Sequence, residues 1–183
     1  MSRAERPLLA VDACGAINLA ALLDLRTEAQ QLPFELLVVQ QVADEAMFLH
    51  EVVDDQSVRV PIDLGNIRVT DLEDGDLELY VRLARGLDDG EAATLAFAYG
   101  RQIDVLTDDR KAVRIAGALD PCVPILGTAE LARRWASASS VSPHDLMRRL
   151  VAVESLASFR PRSQDPNFEW WRSITDGERG GSG

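Results

Sequence analysis

The sequence predicts an α/β fold: a three-layer sandwich built on a central, mainly parallel sheet. Short apolar runs recur along the chain, and each is followed by a stretch whose apolar residues fall at helical spacing. Strands that alternate with helices in this way need crossover connections, which place the strands parallel. The 183 residues are 46% hydrophobic, enough for one buried core.

Leu8-Leu9-Ala10-Val11 reads as a buried strand ending at Asp12, with a helix over residues 16–25. Leu36-Leu37-Val38-Val39 repeats the pattern and leads into a helical stretch through Ala43, Ala46 and Met47 that contains Glu45. Residues 52–65, with Pro61, Gly65 and several charges, read as an irregular connection. Ile67-Arg68-Val69 reads as a short strand and 76–84 as a helix. Residues 90–99 have a strong helical pattern that Gly100 is expected to stop. A strand over 103–106, a turn at Thr107-Asp108-Asp109, and a helix over 110–118 follow. Val123-Pro124-Ile125-Leu126 is the last strand, and Thr128 is placed to cap a helix through Trp135. The domain is thus expected to occupy residues 1–136. Residues 137–176 form a helical extension in which Ser142-Pro143 starts a helix over 145–156, and 177–183 form a Gly-rich, disordered tail.

No apolar run approaches the roughly 20 residues of a membrane helix, and the polar N-terminus lacks the pattern of a signal peptide. Cys14 and Cys122 show no metal-ligand spacing. A cytoplasmic location follows as the default. The net charge of −11 argues against a plain nucleic-acid-binding module, which needs a basic face. Acids gathered around a cation would reconcile that charge with a phosphate substrate.

Asp12 and the Asp108-Asp109 pair both end strands, and open parallel sheets bind ligands outside those carboxyl ends. Glu91 lies in the first turn of the helix before the pair, and Glu45 follows the second strand. All can converge on one crevice. Carboxylates at close range raise one another's pKa, and a hard divalent cation removes the cost. The site expected on these grounds has Asp12, Glu45, Glu91, Asp108 and Asp109 as catalytic acids. The cation expected there is Mg²⁺ or Mn²⁺, which prefer oxygen ligands. Neither histidine, His50 or His144, falls in the cluster. Each acid also has a purely structural reading. Asp88 with Glu91 has the spacing of a capping box, Asp108 or Asp109 can cap the helix that follows, and Glu45 can be an exposed helix residue.

These residues resemble the PIN-domain family. Leu9-Ala10-Val11-Asp12-Ala13 is similar to its first motif, and Val38-Val39 with Gln41-Val42-Ala43-Asp44-Glu45 to its second. The stretch from Leu87 to Ala96, containing Gly90-Glu91-Ala92, resembles the Gly-Glu-Ala helix of one subgroup. Thr107-Asp108-Asp109-Arg110-Lys111 and Leu126-Gly127-Thr128 fit the same subgroup. The resemblance covers residues 8–135. It implies a metal-dependent ribonuclease that cleaves phosphodiester bonds with metal-activated water, its metal ligands being Asp12, Glu45, Glu91 and Asp108 or Asp109, or both. It also implies VapC-type toxins held inactive by an antitoxin protein, and a homodimer. One departure is Ala13, then Cys14, where such proteins often carry Ser or Thr after the first Asp; a hydroxyl that would orient the acid is missing.

Thr107, Arg110, Lys111 and Arg114 are the expected contacts to an RNA substrate, the threonine by holding the turn or a phosphate through its hydroxyl. The basic residues equally fit a solvated helix surface. Two rival readings remain. A non-catalytic PIN-like scaffold would bind a protein through the 145–156 helix and Trp170-Trp171. A haloacid-dehalogenase-like phosphatase would use Asp12 as nucleophile, but it needs a second Asp where this chain has Cys14.

Overall fold

The computed structural model describes residues 6–45, 47–54, 56–65 and 67–176. Along the chain, β1 (Leu8–Val11) leads into α1 (Ala13–Leu22), and β2 (Glu35–Val39) into the short α2 (Gln40–Ala43). A hairpin of β3 (Phe48–Val53) and β4 (Gln56–Pro61) follows, then β5 (Arg68–Thr70), α3 (Asp74–Leu83) and α4 (Asp89–Arg101). The last part holds β6 (Asp104–Leu106), α5 (Arg110–Ala118), β7 (Ile125–Leu126), α6 (Thr128–Ala138), α7 (Pro143–Leu156) and α8 (Phe168–Thr175).

Five strands form one sheet in the order β5-β2-β1-β6-β7, every pair parallel. Both faces are covered, so the central strands read as near-continuous apolar runs rather than alternating. Leu9, Ala10, Val11, Leu37, Val38, Val39 and Leu106 are fully buried. Helix α4 packs on β1, β2 and β6, with α3 and α5 against it, while α1 packs with α6 and α7 to complete a three-layer sandwich. Chain order runs outward in both directions from β1 and β6, so the switch point of the sheet lies between those two strands.

Residues 52–65 depart from the irregular connection expected of them. Phe48 to Val53 pairs antiparallel with Gln56 to Pro61. The turn uses Asp54 at φ +50°, a left-handed conformation that aspartate tolerates better than most residues. Val52 and Val58 face solvent, at 76% and 40% exposure, so no amphipathic alternation marks these strands. The helix expected to carry Glu45 is shorter than its pattern: α2 stops at Ala43 and Glu45 sits in the bend beyond it, while Ala46 lies outside the described residues. Gly100 does not end α4 either. The helix runs on to Arg101 and closes on Gln102, which takes the left-handed cap at φ +51°. Gly100 instead makes room for α3, because a Cβ there would lie 2.9 Å from Asp76 Oδ1. That carboxylate is buried and accepts two hydrogen bonds from Arg101 Nη1, at 2.9 and 3.0 Å.

The segment beyond residue 136 shares the core. Ser142 caps α7 by accepting the Asp145 N–H, with Pro143 in the first turn. Leu150, Val153 and Trp171 are fully buried. Arg149 ties α7 to the end of α1, donating to Leu22 O at 2.9 Å and holding Glu28 through both terminal nitrogens at 2.8 and 2.7 Å. Trp171 packs edge-on against Phe159, so the aromatic pair expected as an interaction surface has its second member inside the protein. The Gly-rich tail 177–183 lies outside the described residues. Among the described residues no helix is long and apolar enough to cross a membrane.

Candidate active site

Asp12 follows the last residue of β1 and is 2% exposed. It caps α1, its Oδ1 accepting the Gly15 N–H at 2.6 Å. The Cys14 thiol donates to the same carboxylate, 3.2 Å from Oδ1 and 3.3 Å from Oδ2. Burial pushes the Asp12 carboxyl up to about 6; hydrogen bonds from Thr107, Gly15 and Cys14 work against burial, and the charge of Asp108 adds to it. The side chain of Thr107 thus supplies the hydroxyl that Ala13 does not. Thr107 is 1% exposed and its Oγ1 also accepts the Asp109 N–H at 3.1 Å.

Asp108 and Asp109 have different surroundings. Asp108 Oδ1 accepts the Thr128 N–H at the start of α6, at 3.1 Å, and Oδ2 accepts Asn18 Nδ2–H at 3.1 Å. Burial nevertheless raises its carboxyl, helped by the charge of Asp165. Asp109 caps α5, with Oδ1 accepting from Lys111 N at 2.7 Å and Ala112 N at 2.8 Å. Both cap bonds go to Oδ1, so Oδ2 stands outside the cap.

Glu91 is in the first turn of α4, whose cap is Asp88, 2.8 Å from the Glu91 N–H. Only this half of the expected capping box forms; the complete reciprocal box among the described residues is that of Glu73 and Asp76 on α3. The Glu91 carboxylate is thus not spent on its own helix. Desolvation first, then the charges of Asp88, Asp109 and Asp12, raise it to about 7. Glu45 reaches the same region from the bend after α2. Its carboxylate lies over Gly90, and a Cβ on that residue would overlap Oε1. Its carboxyl is raised by desolvation, then by Asp88, Asp12 and Asp89. The expected acids therefore feel one another across the switch point, although Glu45 is exposed and Asp108 turns into the fold.

Arg110, Lys111 and Arg114 are exposed on α5. Arg110 lines a cleft with Asp108, whereas Lys111 and Arg114 do not. The sequence reading missed Asn18, Thr128 and the thiol of Cys14. Asn18 is buried and bridges Asp108 to Thr128 Oγ1 at 3.0 Å. Its signal was available: a lone amide inside the apolar helix Ile17-Asn18-Leu19 must find buried partners. Cys14 also accepts the Asp108 N–H at 3.5 Å, and burial pushes its thiol far above the ordinary range, so it acts as a neutral donor.

The donor set suits a hard cation, since it is all oxygen and the charges acting most strongly on it are other carboxylates. Among the described residues no three Asp, Glu, His or Cys side chains stand close enough to enclose a metal ion.

No curated protein and no solved structure gives a significant match to this chain. A family model described as a PIN domain matches residues 9–150, from β1 into α7. PIN domains are generally nucleases, and on that match the chain belongs to the PIN-domain family.

Proposed function

We propose that the protein is a metal-dependent ribonuclease that hydrolyses phosphodiester bonds at the carboxyl edge of its sheet. One observation carries this reading. Asp12, buried at the end of β1, and Glu91, in the first turn of α4, are lifted to about 6 and about 7, first by burial and then by neighbouring carboxylates. Acids buried together at a sheet's switch point cost stability that their hydrogen bonds only partly offset, unless a cation is their normal occupant. Mg²⁺ or Mn²⁺ bound there would lower the pKa of a water and stabilise charge developing on phosphorus.

Asp12, Glu91 and Asp109 would meet that cation, one or two of them directly and the rest through its waters, with Glu45 completing the acidic rim. Asp109 is preferred over Asp108 because Asp108 already accepts hydrogen bonds on both oxygens, while Asp109 has Oδ2 outside its cap. Asp108 then acts as a positioning residue, fixing the start of α6 beside the site. Cys14 and Thr107 orient Asp12. Arg110 neutralises approaching phosphate. A role as the toxin of a toxin–antitoxin pair, active as a homodimer, follows from the family alone and extends the same reading.

The test is cleavage of labelled RNA and single-stranded DNA with Mg²⁺ or Mn²⁺, beside Asp12→Asn. Cleavage of RNA by the wild type and its loss in the variant is the expected result. No cleavage, together with no rise in Tm on adding either ion, overturns the proposal. For the toxin role, expression of the chain alone should arrest growth, and unaffected growth refutes it.

A further inference from the structure

A cleft of about 570 Å³ has Asp108, the chain neighbour of Asp109, in its wall. Arg110 of α5 lines one side. The other side is the arm joining α7 to α8, which contributes Phe159, Arg160, Arg162 and Asp165. This arm lies beyond residue 150, outside the family match, so the wall is an addition of this chain.

The arm is built rather than slack. Phe159 N–H donates to Val153 O at 3.3 Å, and the Phe159 ring meets Trp171 edge to face at 5.7 Å. Trp171 Nε1–H donates to Glu154 at 2.9 Å, and Arg160 pairs with Glu154 at 3.4 Å and Asp176 at 3.1 Å. Pro161 is buried between the exposed Arg160 and Arg162. Arg160 is therefore tied down by carboxylates, whereas among the described residues Arg110 and Arg162 stand in no ion pair. Asp165 opposes them from the same wall. Two available guanidiniums, an aromatic ring and a fixed backbone beside a phosphodiester-cleaving site match the requirements of one kind of ligand. Guanidinium groups bind phosphate oxygens bidentately, and an aromatic face accepts any unpaired base.

We propose that this cleft seats a nucleotide of single-stranded RNA flanking the phosphodiester at the acids, with Arg110 and Arg162 on its phosphate and Phe159 against its base. The assignment of RNA rests on the ribonuclease reading above, but the cleft is tested by binding alone. A duplex keeps its bases stacked inside, so it cannot use Phe159 and is expected to bind less well.

The experiment measures fluorescence anisotropy of a labelled single-stranded RNA on full-length Asp12→Asn protein in EDTA, over a series of salt concentrations. In that background, Arg110→Ala with Arg162→Ala should weaken binding roughly tenfold or more. It should also flatten the salt slope by about 0.7 for each phosphate no longer neutralised. A charge-matched control, Arg82→Ala with Arg148→Ala, should leave both unchanged. Phe159→Leu should weaken single-strand binding and keep the salt slope. Equal affinity and slope in the cleft and control variants overturn the proposal, as does absence of RNA binding or equal binding of duplex. Cleft-dependent binding by a protein whose wild type cleaves nothing with Mg²⁺ or Mn²⁺ upholds the cleft and removes the nuclease reading. Cleavage that ignores both arginines does the reverse.

Discussion

Asp12→Asn is expected to stabilise the metal-free protein near neutral pH while abolishing cleavage. Asp12 is 2% exposed, and burial, ahead of the Asp108 charge, lifts its carboxyl from 3.8 to about 6. The folded protein therefore holds this proton more tightly than the unfolded chain does. As pH rises from 3.8 to about 6 the unfolded chain loses its proton first, so stability falls across that window, and the full penalty is present above it. At about 1.4 kcal/mol per pH unit, the displacement corresponds to about 3 kcal/mol. Asparagine has no charge to lose, and its amide oxygen keeps the acceptor for the Gly15 N–H. The variant should recover most of that 3 kcal/mol at neutral pH and none of it below pH 3.8. For a domain of this size each kcal/mol moves Tm by roughly 2–4 °C, so a rise of about 5–10 °C is expected. The assay is thermal unfolding in EDTA across pH, repeated with Mg²⁺, which should raise the wild-type Tm more than the variant's. A variant that melts lower than wild type at every pH would refute the reasoning. It would show that Asp12 is ionised to serve as a helix cap, not held at a cost for a cation.

Gly90→Ala puts a Cβ onto the Glu45 carboxylate and 3.2 Å from Val42 Cγ2. The exposed end of Glu45 can swing away, so stability should hold within about 1 kcal/mol while cleavage falls roughly 10–100-fold; full cleavage, with Glu45→Gln impaired, would disprove that Gly90 exists to seat Glu45. Asp108→Asn turns one of two accepting oxygens into a donor facing a donor, and should cost about 1–3 kcal/mol in chemical denaturation. Asp109→Asn keeps its Oδ1 cap and should lose cleavage with the fold intact; the opposite pattern of losses would reassign the direct ligand to Asp108. Cys14→Ser replaces a weak thiol donor with a stronger hydroxyl, so the Asp12 carboxyl should titrate lower, as followed by carboxyl carbon NMR; an unmoved or higher midpoint counts against the thiol as an orienting donor.

The parallel sheet was legible because its strands are buried on both faces and read as unbroken apolar runs such as Leu36 to Val39. The positions of Asp12 and the Asp108-Asp109 pair followed, since each ends such a run. The hairpin was not legible, because its valines face solvent and its turn is made by Asp54 without a glycine. Gly100 misled for a different reason: glycine serves close approach as well as helix termination, and only the position of Asp76 distinguishes the two. The division of labour between Asp108 and Asp109 depends on Asn18 and Thr128, 90 and 20 residues away from Asp108 in sequence, which local pattern cannot connect.

Capping and catalysis are competing explanations for each acid in the sequence, but the two are compatible in one carboxylate. Asp12 serves the N-terminus of α1, Asp88 that of α4, Asp109 that of α5, and Asp108 that of α6. Four helices thus direct the positive ends of their dipoles at one sheet edge, each meeting a carboxylate there. Those N–H groups and dipoles offset part of the mutual repulsion, which lets the chain fold with the acids gathered before any cation arrives. A carboxylate has two oxygens, and Asp12 and Asp109 commit Oδ1 to the backbone. Asp109 Oδ2, held in direction by the cap, remains for the edge of the sheet, while Asp12 Oδ2 is shared with the Cys14 thiol at 3.3 Å. The cap is therefore what aims the acid, and a substitution that preserved the charge but lost the cap would be expected to fail at the chemistry too.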